Sequence, residues 1–171
     1  MQSAYEIFDV VNEHDEVIGQ EKRGEVHRRG LKHRAVHVLV FDSRGRLYLQ
    51  KRSMTKDTFP GAWDSSASGH LDTGEGYDAC AVREVREELG LELPRVPQRL
   101  FKIECCAETG QEFVWIYYWE HDGPLYPNPA ELERGEWFAP ADITRWMHER
   151  PNEFASALRL IWQRFVDGRA I

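Results

Sequence analysis

Three glutamates near the middle of the chain are spaced in a way that suits metal binding. On a helix, which turns by about 100° per residue, Glu84, Glu87 and Glu88 fall within one narrow sector. Carboxylates crowded on one exposed face repel one another, at a cost of about a few tenths of a kcal/mol per pair. A hard divalent cation such as Mg²⁺ or Mn²⁺ turns this repulsion into attraction, because it takes oxygen ligands and keeps positions open for substrate phosphates. The spacing therefore predicts a cation-binding helix face.

The other face of this helix is apolar and predicts how the glutamates are held. Val82, Val85 and Leu89 lie opposite them and would dock on a sheet. A helix over residues 77–89 is predicted, ending at Gly90 as a C-cap glycine.

The segment fits the pattern G-x5-E-x7-R-E-U-x-E-E-x-G-U, with U apolar, at every defined position. The matching residues are Gly69, Glu75, Arg83, Glu84, Val85, Glu87, Glu88, Gly90 and Leu91. This is the signature of the Nudix hydrolases, and the chain resembles that family. A solvated glutamate-rich face is the simpler interpretation, but chance would then have to supply seven polar or glycine matches at the correct offsets.

The resemblance implies metal-assisted attack of water on a diphosphate linkage that is joined to another group. By this resemblance Glu84, Glu87 and Glu88 carry Mg²⁺, or Mn²⁺ as a substitute, and the Gly69 carbonyl is a possible further ligand. Arg83 corresponds to the arginine that orients the glutamates. The metals neutralise the diphosphate oxygens and lower the pKa of a bound water.

The group that accepts the proton of this water stays open. Glu84 or Glu88 is the first choice, and Glu112 and Glu131 are reserve candidates because Nudix enzymes often recruit the base from outside the motif.

Two cations in a predicted loop suit the binding of phosphate. Arg52 and Lys56 lie four residues apart after the first long hairpin. Arg would bind phosphate oxygens bidentately and Lys as a point charge. A solvated loop is the alternative at this position.

The wider chain resembles the Nudix branch related to isopentenyl diphosphate isomerase. The matching pieces are His27 and His33 before Arg34-Ala35-Val36, Gln50-Lys51-Arg52-Ser53 with Lys56, Pro60-Gly61-Ala62-Trp63-Asp64, Gly69-His70, and Asn128-Pro129-Ala130-Glu131-Leu132 with Trp137. Ser68 occupies the position aligned to the isomerases' catalytic cysteine, and of their Glu-x-Glu only the second member, Glu112, is retained, after Gly110. The isomerases usually have a degraded Nudix motif, whereas this motif is complete, so a hydrolase is predicted.

Three histidines leave a second metal site open. Isomerases bind a metal through histidines at positions comparable to His27, His33 and His70, and neutral imidazole ligates Zn²⁺ or Mn²⁺. The preferred interpretation is that they are ordinary hydrogen-bonded residues, because Gly110 replaces a partner glutamate.

Composition places limits on organisation and partners. A chain of 171 residues is most simply one domain, 1–171. A net charge of −7 argues against a nucleic-acid polymer as partner. The absence of long apolar runs argues against a membrane partner or a signal peptide, so a cytoplasmic location is expected. Three cysteines without zinc spacing indicate structural thiols. The oligomeric state is not readable.

Hydrophobic periodicity predicts an α/β fold, a mixed sheet between helices in an α/β/α sandwich. The predicted elements are an N-terminal hairpin about 5–20, a hairpin of 36–41 with 46–51, a strand 64–68, the helix 77–89, a hairpin of 99–107 with 112–120, a strand 136–138, and C-terminal helices about 142–166. The last helix carries a predicted core-facing stripe at Phe154, Leu158, Ile161, Trp162 and Phe165.

The predicted substrate is a small-molecule diphosphate, most simply a nucleoside di- or triphosphate or a related nucleotide derivative. Two alternatives remain. One is an isopentenyl diphosphate isomerase or isoprenoid diphosphate hydrolase, and the other is a non-catalytic Nudix domain that binds a nucleotide or a protein. Aromatic residues along 113–119 would supply one or two rings for stacking on a base.

Overall fold

The protein is described here from a computed structural model covering residues 6–56 and 58–168. The strands are β1 (Ile7–Val11), β2 (Val17–Lys22), β3 (His33–Phe41), β4 (Leu47–Arg52), β5 (Trp63–Asp64), β6 (Ala67–His70), β7 (Gln98–Ile103), β8 (Glu112–Glu120) and β9 (Leu132–Phe138). The helices are α1 (Arg23–Arg29), α2 (Tyr77–Leu89), α3 (Pro140–Glu149) and α4 (Ser156–Gly168), with one 3₁₀ turn at Pro151–Glu153.

A mixed sheet forms the centre of the fold. Its strands run in the order β5-β4-β3-β8-β7, while β6 pairs with β3 and β9 with β4. The pairing of β3 with β8 is parallel and extends in register from His33 opposite Glu112 to Phe41 opposite Glu120. The remaining pairs in this sheet are antiparallel. β1 and β2 form a separate two-stranded sheet.

Strand β3 separates two apolar cores because its side chains alternate between the two faces of the sheet. Val36, Val38 and Val40 pack with the apolar face of α2. Ala35, Leu39 and Phe41 pack with a stripe on and just before α4. This stripe was predicted from its helical spacing and is buried at Phe154, Leu158, Ile161, Trp162 and Phe165. Helices therefore cover both faces of the sheet, which confirms the predicted α/β sandwich.

Most predicted elements are present, with changed boundaries in several of them. Helix α2 has the predicted bounds, and Gly90 caps it in the left-handed region with φ of 62°. The predicted strand 64–68 is split into β5 and β6. The predicted strand 99–107 ends at Ile103, so the adjacent cysteines 105 and 106 do not alternate across a strand. Residue 5 of the N-terminal hairpin lies outside the described residues.

One element was not predicted. Helix α1 has seven residues and follows β2 directly. It has little apolar periodicity, because Val26 is its only buried apolar residue, and tertiary contacts hold it instead.

The three cysteines are free thiols. Within residues 6–56 and 58–168, no helix is long and apolar enough to cross a bilayer.

Candidate metal and diphosphate site

Helix α2 places two of its three glutamates inside the protein. Its apolar residues Val85 and Leu89 are fully buried against the sheet. Glu84 and Glu88 are only 6% exposed, whereas the side chain of Glu87 is 50% exposed. The prediction of a fully exposed glutamate face is therefore wrong for Glu84 and Glu88, because that sector of the helix leans on β6.

Glu88 is held by two donors from the sheet. The Gln50 side chain donates from Nε2 to Glu88 Oε2 at 3.0 Å, and the Ser68 backbone N–H donates to the same oxygen at 2.9 Å. Gln50 is itself 1% exposed, so this hydrogen bond is shielded from water. Ser68 thus binds Glu88, a residue of the motif, through its backbone N–H.

Glu84 is packed against the backbone of β6. A Cβ added at Gly69 would lie 2.6 Å from Glu84 Oε2 and closer still to Oε1, so residue 69 has no room for a side chain. Arg83 donates from Nη1 to Glu84 Oε1 at 2.6 Å.

Arg83 is anchored firmly enough to orient this carboxylate. Its Nε and Nη2 donate to the two oxygens of Glu75 at 2.9 and 2.8 Å, and Nη2 also donates to the His70 carbonyl at 3.0 Å. Its Nη1 reaches Glu87 at 3.3 Å. The Glu75 carboxylate raises the pKa of the Arg83 guanidinium, which stays charged throughout.

The buried carboxyls oppose their own ionisation. Burial raises the pKa of both Glu84 and Glu88, and the charge of Glu88 raises the pKa of Glu84 further. Lys56 and the donors from Ser68 and Gln50 act in the opposite direction on Glu88. Two carboxylates that disfavour each other in one buried site form a donor set that a divalent cation would stabilise.

Two cavities meet at Glu88. The first has a volume of about 470 Å³ and is rich in acidic groups, and we call it the acidic cavity. Its polar lining includes Glu6, Asp72, Arg83, Glu84, Glu87, Glu88, Asn128 and Glu131. The second has a volume of about 380 Å³ and contains three cationic side chains, and we call it the basic cavity. Glu88 and His70 line both cavities.

The predicted phosphate-binding residues both line the basic cavity. Arg52 donates from Nη1 to Asp64 Oδ2 at 3.0 Å and from Nε to the Thr58 carbonyl at 3.0 Å. Lys56 forms an ion pair with Glu131. The structure thus brings Arg52 and Lys56 to one cavity, each held by an acidic neighbour.

A third cation in the basic cavity was not singled out from the sequence. Arg23 opens helix α1 and is 4% exposed. No sequence motif includes Arg23. The one signal nearby was His27, which resembles a metal ligand of the isomerases.

The histidines lie together around Glu112. His27, His33, His70 and Glu112 each place one ligand atom so that the four atoms lie within 4.8 Å of one another. His70 Nε2 lies 2.8 Å and His33 Nε2 lies 3.3 Å from Glu112 Oε1. This geometry favours the metal-binding interpretation over that of separately hydrogen-bonded histidines, which the sequence had favoured.

The hydrogen bonding of His33 leaves one of its nitrogens facing a carboxylate oxygen. Its Nδ1 lies 2.9 Å from the Leu31 carbonyl, which can only accept, so this nitrogen carries a proton, and in the neutral ring Nε2 is then a lone-pair acceptor. That Nε2 is buried without a hydrogen-bond partner and faces a carboxylate oxygen. Two acceptors facing each other are unfavourable unless a proton or a metal ion lies between them.

Burial keeps the neighbouring imidazoles neutral. It lowers the pKa of His27 to about 4, with further contributions from His70 and His33. Burial also lowers the pKa of His70. Burial by itself would raise the pKa of Glu112, but His70 and His33 lower it below its ordinary value. Three imidazoles and one carboxylate suit a transition metal such as Zn²⁺ or Mn²⁺.

The two reserve bases, Glu112 and Glu131, each have another partner. Glu112 belongs to the histidine cluster, and Glu131 pairs with Lys56.

The aromatic residues of β8 do not line the two cavities. Phe113 and Tyr117 are buried in the core. No ring from residues 113–119 is among the described residues that line these two cavities, so neither cavity contains the expected stacking surface.

The fold and this motif define a Nudix protein. The NUDIX domain model matches residues 31–158, and the chain belongs to that family. Nudix hydrolases act on phosphate-containing compounds and generally use divalent metals.

The relatives extend this assignment to both branches that the sequence resembles. An uncharacterised Nudix hydrolase of Streptomyces coelicolor is 48% identical over 168 residues, covering 88% of this chain and 91% of that protein. Isopentenyl-diphosphate Delta-isomerase 1 of Aromatoleum aromaticum is 31% identical over 160 residues, covering 92% of this chain and 90% of the isomerase. A crystal structure of a Deinococcus radiodurans protein is 32% identical, with a TM-score of 0.76 and coverage of 85% of this chain and 90% of that one.

Proposed function

We propose that this protein is a divalent-metal-dependent hydrolase that cleaves the diphosphate linkage of nucleoside di- or triphosphates or related nucleotide derivatives. The observation that carries the proposal is that Glu88 lines both an acidic cavity and a basic one. A cation held on one side of Glu88 would then lie beside phosphates held on the other side.

The acidic cavity supplies the oxygen donors for Mg²⁺ or Mn²⁺. Glu84, Glu87 and Glu88 are the proposed ligands, with the Gly69 carbonyl as a further one, and Arg83 fixes the Glu84 carboxylate. When bound, the cation neutralises phosphate oxygens and acidifies water. The exposed position of Glu87 suits a ligand that reorients when the cation arrives.

The basic cavity supplies positive charge for the diphosphate. Arg52 is held in a fixed orientation by Asp64 and by the Thr58 carbonyl, which leaves the remaining N–H groups of its guanidinium for phosphate. Lys56 adds a point charge, and Arg23 provides a third cation on the same wall. Together these three offset the charge that a diphosphate brings into a buried site.

Glu84 or Glu88 is the proposed general base. Glu112 and Glu131 stay as reserve candidates. The histidine cluster is proposed to hold a second, transition-metal ion at the edge of the basic cavity, since His27, His70 and Glu112 line that cavity.

A substrate panel tests this function. Nucleoside di- and triphosphates, nucleotide sugars, dinucleoside polyphosphates and prenyl diphosphates would be incubated with Mg²⁺ or Mn²⁺, and released phosphate and pyrophosphate measured. We expect metal-dependent hydrolysis of at least one nucleotide class. If no compound is hydrolysed with either metal, the proposal fails and a non-catalytic binding domain becomes the better interpretation.

A second candidate function is isomerisation or hydrolysis of an isoprenoid diphosphate. The histidine cluster favours it, together with 31% identity to an isomerase from Aromatoleum aromaticum. Two observations oppose isomerisation: Ser68 lines the basic cavity where the isomerases have a cysteine, and Gly110 stands where they have the first glutamate of Glu-x-Glu. Incubation with isopentenyl diphosphate, followed for the dimethylallyl isomer, separates the two. Isomer formed at an enzymatic rate would overturn the nucleotide assignment.

A further inference from the structure

Phe59 stands at the border of the basic cavity in an unusual backbone conformation. It lines this cavity, and the residue is 47% exposed. Its φ is 48°, in the left-handed region that bulky side chains avoid. Strain of this kind persists where surrounding structure imposes it, and it concentrates at binding sites.

A tight turn follows this residue directly. The Ala62 N–H donates to the Phe59 carbonyl at 3.1 Å, and Gly61 after Pro60 adopts a φ of 70°. Two backbone hydrogen bonds then tie the turn to the end of β4, from Arg52 N–H to the Ala62 carbonyl at 2.9 Å and from Gly61 N–H to the Arg52 carbonyl at 3.2 Å. The backbone of the turn that begins at Phe59 is consequently tied to the backbone of Arg52.

The side chain of Arg52 strengthens this link. It donates to the carbonyl of Thr58, the residue directly before Phe59, at 3.0 Å, and to Asp64 at 3.0 Å. The guanidinium proposed to bind phosphate is therefore hydrogen-bonded to the backbone next to Phe59. A substrate phosphate on Arg52 would enter the same cavity that Phe59 lines.

The rest of the apolar lining consists of small side chains. Among the described residues that line the basic cavity, the apolar side chains other than Phe59 are Ala35, Ala107, Ala155 and Ala157. An isoprenoid chain would be expected to meet Leu, Ile, Val or Met side chains, and none of the described lining residues is of these types. One aromatic ring beside short side chains leaves a space suited to a flat group rather than a branched hydrocarbon.

We propose that Phe59 is a specificity-determining residue that stacks on the base of a nucleotide substrate whose phosphates lie on Arg52. This proposal rests on the proposed function and deepens it, because it assigns the group beyond the diphosphate to a planar aromatic ring.

The test is a comparison of Phe59→Ala, Phe59→Leu and wild type in the full-length protein. KM and kcat would be measured for the best nucleotide of the substrate panel and for inorganic tripolyphosphate, which has no base. We expect KM for the nucleotide to rise about 5- to 150-fold in Phe59→Ala, the range that corresponds to the loss of one base–aromatic stack. Tripolyphosphate kinetics should stay unchanged, and Phe59→Leu should not restore nucleotide binding.

Two controls separate stacking from a structural role. Val96→Ala truncates another exposed apolar side chain, at a residue that is not among the described lining of either cavity, and should leave both substrates unaffected. Phe59→Gly removes the ring and relieves the left-handed strain, so its thermal midpoint should be equal to or higher than that of wild type while nucleotide KM still rises.

The outcomes distinguish this proposal from the proposed function. An active wild type with nucleotide KM unchanged in Phe59→Ala would overturn stacking while leaving the hydrolase assignment intact. Equal losses for nucleotide and tripolyphosphate would also overturn it, since they would indicate damage to Arg52. If Phe59→Leu recovers activity and a prenyl diphosphate is the preferred substrate, the group beyond the diphosphate is an isoprenoid chain. That outcome would also overturn stacking on a base. A wild type inactive on the whole panel would overturn the proposed function itself, and the stacking proposal with it.

Discussion

The carboxylate of Glu84 occupies the space that a side chain at residue 69 would need. A Cβ at Gly69 would lie 2.6 Å from Glu84 Oε2 and nearer to Oε1, and Gly69 does not have a positive φ. The glycine at the start of the Nudix motif is therefore required for space rather than for backbone freedom. It lets the sheet and the metal-binding helix approach each other closely.

Gly69→Ala should displace the Glu84 carboxylate and remove it from the proposed metal site. We expect hydrolysis to fall about 100-fold or more, because a metal ligand contributes several kcal/mol to transition-state stabilisation. Gly19→Ala is the matched control, since a Cβ there meets nothing within 4 Å and the backbone conformation is ordinary. Steady-state kinetics on the best panel substrate provide the measurement, and equal activity in the two variants would contradict the packing argument.

Glu88→Gln should abolish activity without harming the fold. Glutamine can still accept the hydrogen bonds from Gln50 and Ser68, while the buried charge is removed. We expect a loss of at least about 100-fold in kcat/KM, an unchanged circular dichroism spectrum, and loss of the rise in thermal midpoint that Mg²⁺ gives the wild type. The exposed Glu92→Gln is the control. Retained activity in Glu88→Gln would mean that this part of α2 is structural only.

His27→Gln should lower the transition-metal content and leave Mg²⁺ binding at the glutamates intact. His27 is the cluster member on α1, and its pKa of about 4 keeps it neutral and able to ligate near neutral pH. After loading with Zn²⁺ or Mn²⁺ and dialysis, elemental analysis should find about one ion per wild-type chain and much less in the variant. His148→Gln, on the exposed end of α3, should behave as wild type. No bound transition metal in the wild type would exclude the second site.

Asp15→Asn should destabilise the protein in a pH-dependent way. Asp15 accepts hydrogen bonds from Arg34 at 2.6 Å, Lys102 at 2.7 Å and Tyr77 at 2.8 Å. Burial by itself would raise the pKa of Asp15, but Lys102, Arg34 and Tyr77 lower it below its ordinary value. A carboxyl with a depressed folded-state pKa stabilises the fold above its unfolded pKa of about 4 and loses this contribution as pH falls through the folded value.

The expected loss at pH 7 is about 1–3 kcal/mol in the free energy of unfolding. The difference between wild type and Asp15→Asn should shrink between pH 5 and about pH 3, measured by urea denaturation. Asparagine tolerates the left-handed φ of 62° at this residue, so the backbone is not an added cause. The neighbouring exposed Glu13→Gln should show no such difference. If the difference in the free energy of unfolding between wild type and Asp15→Asn does not change with pH, the lost stability comes from packing and not from the charge.

The sequence by itself determined the local parts of the site. Helix α2 and its C-cap glycine were predicted with the observed bounds, because apolar periodicity and a left-handed glycine act within a few residues. The proposed metal-binding pattern lies in the same short segment. The signature that identifies the family lies there too. The stripe of α4 was predicted for the same reason.

Tertiary structure decided which of these residues are buried and what they face. Gln50 and Glu88 are far apart in sequence, and only the docking of α2 on β6 brings them together and buries two carboxylates predicted to be exposed. His33 and Glu112 meet because β3 and β8 pair in parallel, a contact across 79 positions that no local spacing encodes. Burial and long-range strand register depend on the packing of the whole chain, so the close approach of the three histidines to Glu112 and the two cavities lined by Glu88 are visible only in the folded protein.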